Sequence, residues 1–200
     1  MKKPDINFSK CLNKLFFKGQ RNGFFVECGA NTGEAGSITW WFEKELVWSG
    51  LLIEPNPHCF AELVKQRPNC ENLNLALSNS QGTASFEFPT DGPRGLFAGR
   101  GSVNGACSYG SRPTETHEVA IDTYRNILGS REIEKIDLFI LDVEGHEMEA
   151  LEGAMDCSLL PRVWVIETNK TTAEDVLSLI GPLGYTVAGN DRSNTYFLKE

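Results

Sequence analysis

Apolar and polar positions along this chain switch repeatedly between two periods. Residues 24–28 (FFVEC) form a short apolar run that reads as a buried strand. Across 34–47, Ile38, Trp41, Phe42 and Leu46 recur at helical spacing. The exchange then repeats. "GLLIEP" (50–55) reads as a strand, and 57–67 as a helix with Phe60, Leu63 and Val64 on one face. A strand over 72–78 (NLNLALS) and an edge strand over 83–88 follow. Further on, "HEVAI" (117–121) predicts a strand and 122–129 a helix. "IDLFILDVEG" (136–145) is the strongest strand signal, followed by a helix with Met148, Leu151 and Met155 inward. After the strand "RVWVIET" (162–168), "TTAE" (171–174) fits a capping box ahead of Val176, Ile180 and Leu183. The end, "YTVAG" and "NTYFLKE" around "NDRS", reads as a hairpin. Within 1–20, Phe8, Cys11, Leu12, Leu15 and Phe16 predict an amphipathic helix that lids the core.

Strands that are apolar throughout, alternating with helices, imply a mostly parallel sheet covered on both faces, here with an antiparallel terminal hairpin. The expected organisation is one domain over 1–200. The pattern breaks once, at 90–113, where six glycines and two prolines leave no periodicity. A loop of that length in a compact domain reads as a lid or substrate loop. Its Arg94, Arg100 and Arg112 against Asp91 give it a charge of +2, opposite in sign to the chain's −8.

That acidic balance argues against broad nucleic-acid binding and leaves room only for a local basic patch. Hydrophobic content of 40% and charged content of 23% are those of a soluble globular protein. No apolar run reaches membrane-spanning length, and the first residues lack the apolar core of a signal peptide. None of the six cysteines forms a C-x-x-C pair. Reduced thiols in the cytoplasm are the expectation.

Ligands of such sheets bind at the carboxyl ends of the strands. Several of these ends carry a carboxylate: Glu27 before Cys28-Gly29, Glu54 before Pro55, Asp142-Val143-Glu144-Gly145, and Glu167 before Thr168-Asn169. The first turn, Glu27-x-Gly29-x-x-x-Gly33, is not the G-x-G-x-x-G of a dinucleotide fold. Gly29 is read as letting a ligand approach the backbone, and Gly33 as letting the helix start close to the strand. Glu54 can accept both hydroxyls of a ribose. A ribose beside a positive charge, without phosphate, describes S-adenosylmethionine.

"FFVECGANTGEAGSITWWFEKELVWSGLLIEPNPHCFAEL", "IDLFILDVEGHEMEALEGA" and "VWVIET" together resemble the FkbM-type family of S-adenosylmethionine-dependent methyltransferases. The resemblance covers roughly 22–88 and 117–170. It implies a Rossmann-like class I methyltransferase fold with a seven-stranded sheet, and O-methylation of sugar or natural-product hydroxyls. By the same resemblance, Glu27, Gly29, Ala30, Asn31 and Gly33 line the methionine part of the cofactor, and Ser37 reaches its carboxylate. Glu54, followed by Pro55, holds the ribose. Leu77 and Ser78 surround the adenine, and Asp142 sits beside the methyl group.

An alcohol must lose its proton as it is methylated. Base candidates on the rim are His146, Asp142, Glu144, Glu147 and Glu167, with His146 ranked first because it titrates nearest neutrality. The reading needs no metal, although Asp142, Glu144 and Glu167 are the set that could hold magnesium through oxygen. His117 is read as structural and His58 as solvent-exposed. Trp41 and Trp164 are expected in the core. The competing readings are an RNA ribose 2′-O-methyltransferase, for which Lys170 beside Glu167 is the nearest lysine, and a cofactor-binding protein without catalysis.

Overall fold

The computed structural model describes residues 3–91 and 101–199. Seven strands build the main sheet: β1 (Phe24–Cys28), β2 (Ser49–Ile53), β3 (Glu71–Leu73), β8 (Leu138–Leu141), β9 (Val163–Glu167), β10 (Tyr185–Asp191) and β11 (Asn194–Lys199). Their spatial order is β10-β11-β9-β8-β1-β2-β3. Neighbours from β9 to β3 are parallel, and β11 runs antiparallel between β9 and β10. This is the sheet the sequence pattern implied.

Alternation along each strand feeds two cores. On one face Val26, Cys28, Leu51, Ile53, Phe139, Leu141 and Trp164 pack against α4 (Tyr124–Gly129), α5 (Glu147–Glu152) and α6 (Ala173–Ile180). On the other, Phe25, Leu52, Leu138, Ile140 and Val165 pack against α1 (Ile6–Leu12), α2 (Thr39–Leu46) and α3 (Pro57–Gln66). Both faces being covered is why these strands read as unbroken apolar runs.

A second sheet stands beside the first. It contains β4 (Ala76–Ser78), β5 (Gly82–Pro89), β6 (Ser102–Val103) and β7 (Thr114–Thr123), in the order β4-β7-β5-β6. The single strand expected over 72–78 is therefore two strands in two sheets. Asn74 divides them: its side-chain amide donates to the Glu54 and Pro55 carbonyls at 2.8 and 3.1 Å and turns the chain. The expected edge strand at 83–88 is interior, flanked by β7 and β6.

Several helix faces also differ from expectation. The first helix passes from α1 into a π turn at Asn13–Phe17. The wider turn shifts the phase by one residue, so Phe17 is buried where Phe16 was expected and Leu15 faces solvent; Cys11, within α1, is exposed as well. In α3 the buried residues are Cys59 and Leu63, with Val64 exposed. The capping box lies one residue later than read, between Thr172 and Asp175. Trp164 and Trp48 are buried, whereas Trp41 is only half-buried.

Candidate active site

The strand order reverses between β1 and β8, and the candidate site is built there. Gly29 follows β1 with φ +82°, and a Cβ on it would lie 1.8 Å from the Asp142 carbonyl oxygen at the end of β8. The approach of the two strand ends therefore requires glycine here. Gly33 also differs from expectation. With φ +84°, its missing Cβ makes room for Leu63 and Arg67 of the α3 region, while α2 begins only at Thr39.

Arg67 is the organiser that sequence reasoning missed. It is fully buried, and its guanidinium donates to Glu43, to the Gly33 carbonyl at 2.9 Å, to Ser37 Oγ at 3.2 Å and to Thr39 Oγ1 at 3.1 Å. It also lies 3.9 Å from Glu27. Glu27 in turn accepts from Ser37 Oγ at 2.8 Å, the Ile38 N–H at 3.0 Å and Thr39 Oγ1 at 2.5 Å. Both carboxylate oxygens and the Ser37 hydroxyl are therefore engaged in holding the loop between β1 and α2. The α1 segment fastens the same loop, because Ser9 Oγ donates to the Ile38 carbonyl at 2.6 Å.

Glu54 sits one residue beyond β2. It is 6% exposed, and its two oxygens accept the N–H groups of Asn31 at 2.7 Å and Asn56 at 2.8 Å. Among the described residues, no basic side chain pairs with it. Burial raises its pKa to about 7, against the pull of the two N–H bonds. The Asn31 bond ties Glu54 to the loop after β1, where Ala30 is buried and Asn31 takes a left-handed φ of 51°. Asn74, also missed, clamps the Glu54-Pro55 corner from the end of β3. Leu77 and Ser78 are buried in β4.

Across the switch point, ligand oxygens of Asp142, Glu144 and Glu167 all lie within 4.8 Å of one another. Asp142 is solvent-reachable at the rim yet crowded by protein atoms. Burial, then the charges of Glu167, Glu144 and Glu147, raise its pKa well above the ordinary carboxylate range. The charged form of Asp142 is disfavoured there, because neighbouring negative charges are close by and poorly hydrated. Asn169 donates to Glu167 at 2.8 Å and steadies it.

Two rim candidates are occupied otherwise. Glu147 turns back to accept the Val143 and Gly145 N–H groups at 3.0 Å, pinning a loop in which Glu144 and Gly145 take positive φ. His146 is neither a surface residue nor part of the carboxylate group. It is 7% exposed, its Nε2 lies 3.0 Å from Ser78 Oγ, and burial lowers its pKa. It ties α5 to β4.

The glycine-rich segment is half built into the small sheet. Residues 92–100, with Arg94 and Arg100, lie outside the described residues. Beyond them, Ser102 and Val103 pair with Glu87 and Phe86. The Cys107 thiol donates to the Glu144 carbonyl, and Ala106 faces Gly145. This part of the expected lid rests on the acidic rim. Arg112 is engaged by Asp91, through 2.9 and 3.1 Å bonds from Nε, so its charge is matched within the loop.

A seven-stranded sheet with its last strand inserted antiparallel, reversing at a glycine-bearing loop between acidic strand ends, is a class I S-adenosylmethionine-dependent methyltransferase fold. Residues 27–187 match the family described as Methyltransferase FkbM domain, and the chain belongs to that family. Among solved structures, the methyltransferase FkbM from Methylobacillus flagellatus KT aligns with a TM-score of 0.51 at 14% identity, over 98% of this chain and 48% of that one. TrmK of M. capricolum, solved with S-adenosyl-homocysteine, aligns with a TM-score of 0.50 at 8% identity, over 95% and 65%. A putative rRNA-methylase from Clostridium thermocellum gives 0.51 at 7% identity, over 100% and 97%. At such identities the likeness is one of fold. The chain spans about half the length of the first and 65% of the second. No curated protein matches the chain in sequence. Among the described residues, no helix is long and apolar enough to cross a membrane.

Proposed function

We propose that this chain transfers a methyl group from S-adenosylmethionine to a hydroxyl of a sugar or small natural product. The observation that carries the reading is the pairing of two acidic sites on one sheet edge: Glu54, buried and without a cation among the described residues, and the carboxylates of Asp142 and Glu167 across the switch point. Glu54 offers the acceptor that two ribose hydroxyls need. Gly29, Ala30, Asn31 and Gly33 form the adjoining loop, Pro55 and Leu77 the apolar flank for the adenine, and Ser78 the backbone beside it. Glu27 and Ser37 act by holding that loop. S-adenosylmethionine supplies the methyl group.

The chain's part in the reaction is positional and acid–base. The loop after β1 and the rim hold the acceptor oxygen about 3–3.5 Å from the methyl carbon and in line with its bond to sulfur. Asp142, grouped with Glu167 and Glu144, takes the hydroxyl proton in its ionised form, which the crowding of like charges makes more basic than an ordinary carboxylate. The same three oxygens are the donors that would hold magnesium if the acceptor required it. The six unpaired cysteines fit a reducing compartment.

Calorimetry with S-adenosylmethionine, S-adenosyl-homocysteine and NAD tests the cofactor. Binding of NAD alone would refute the reading. Transfer of labelled methyl onto glycans, small phenols and RNA, with and without chelator, tests the acceptor. Label on RNA alone would replace the small-molecule reading, which the net charge of −8 and the acidic rim support.

A further inference from the structure

Away from the strand-end cleft, three side chains converge between α3 and the small sheet. They are His58 at the second position of α3, and Glu115 and His117 of β7. Their ligand atoms all lie within 4.8 Å of one another. His58 Nε2 is 3.6 Å and His117 Nε2 3.3 Å from the same oxygen, Glu115 Oε2. A tetrahedral ion with metal–ligand distances of about 2.1 Å separates its ligands by about 3.4 Å. Two edges of the triangle therefore already have the length a bound ion would impose.

Local structure holds each group in place. Glu115 and His117 alternate along β7, so they share a face. The register sets Phe88 opposite Glu115 and Phe86 opposite His117. The Phe88 ring is fully buried, with its centroid 5.4 Å from that of His117 and 5.9 Å from that of His58. It forms an apolar floor that restricts both imidazoles. His58 is set by the α3 N-cap, where Asn56 Oδ1 accepts its N–H at 3.0 Å. The three side chains are 37–48% exposed, so an ion in solution can reach them. Two imidazole nitrogens and one carboxylate oxygen, without thiolate, suit zinc and its first-row neighbours better than magnesium or calcium.

We propose that His58, Glu115 and His117 form a zinc-class metal site that braces the start of α3 against the small sheet. One end of that brace is two residues from Asn56, whose N–H holds Glu54. The metal would thus stiffen the corner that carries Glu54. Only this last consequence rests on the proposed function; metal binding at the triad does not.

The test uses tag-free, chelator-stripped protein titrated with zinc against a chromophoric competitor. One zinc per chain is expected, with micromolar or tighter affinity. His58→Ala, His117→Ala and Glu115→Gln, each checked for folding by circular dichroism, should weaken it by about tenfold or more. Asp142→Asn should leave it unchanged, which separates the triad from the carboxylate rim. Cobalt substitution should give visible bands without thiolate charge transfer, and zinc should raise the melting temperature of the parent protein but not of His117→Ala. Failure to bind zinc, full affinity in both histidine variants, loss in Asp142→Asn, or a thiolate spectrum would each overturn the proposal.

Discussion

Cofactor affinity should follow the charge of one buried carboxylate. Glu54 has a pKa raised to about 7, and a ribose donating two hydroxyls needs its ionised form. The ionised fraction is then about 0.9 at pH 8 and about 0.1 at pH 6, so affinity should fall about tenfold, or about 1.4 kcal/mol, across that interval. The suitable ligand is 5′-methylthioadenosine, which keeps the ribose and adenine but has no amino-acid group to titrate. Calorimetry should show the drop directly. Near pH 6.5 it should also show proton release, as heats that differ between buffers of different ionisation enthalpy. Glu54→Gln should bind weakly at pH 8 and lose the slope. Stability carries a related sign. Because the folded pKa lies above the ordinary 4.5, the group's contribution to folding is complete below about pH 4.5 and lost as pH rises through about 7. The ligand-free protein should therefore melt lower at pH 8 than at pH 5, and Glu54→Gln should narrow that gap. A parent slope under about twofold, or an equal slope in Glu54→Gln, would refute the assignment.

Three further outcomes follow from the geometry. Arg67→Met leaves Glu27 buried without its cation and Glu43 with Lys44 alone, which should cost about 3–5 kcal/mol and lower the melting temperature by roughly 6–20 °C; a loss under about 3 °C in calorimetry would contradict the network. Gly29→Ala places a Cβ 1.8 Å from the Asp142 carbonyl at a φ of +82°, so it should be poorly soluble or strongly destabilised, and a stable variant would show that the strand ends separate easily. Asp142→Asn should reduce kcat by about 10²–10⁴-fold at nearly unchanged S-adenosyl-homocysteine affinity, whereas His146→Ala should mainly lower stability through the lost Ser78 contact. The reverse ranking in turnover would return the base to His146.

The strand–helix alternation, the acidic strand ends and the family were legible along the chain. Period-two and period-3.6 patterns are local, and "FFVECGANTG", "GLLIEP" and "LDVEGHE" each carry their residues in one short run. Fold class and the rim carboxylates Glu54, Asp142 and Glu167 could thus be placed without coordinates. What each group touches could not. Arg67 reads as the polar last residue of the helix over 57–67, yet it is buried and gathers Glu27, Ser37, Thr39 and Glu43 from earlier segments. His146 reads as a rim base, yet packing of α5 on β4 turns it toward Ser78. His117 reads as structural at the start of a strand and His58 as solvent-exposed, and only the approach of α3 brings them together at the Glu115 carboxylate. Burial, charge pairing and shared ligands depend on distances between segments remote in sequence. Periodicity along one chain carries no information about those distances; the packing of the two sheets against the helices sets them.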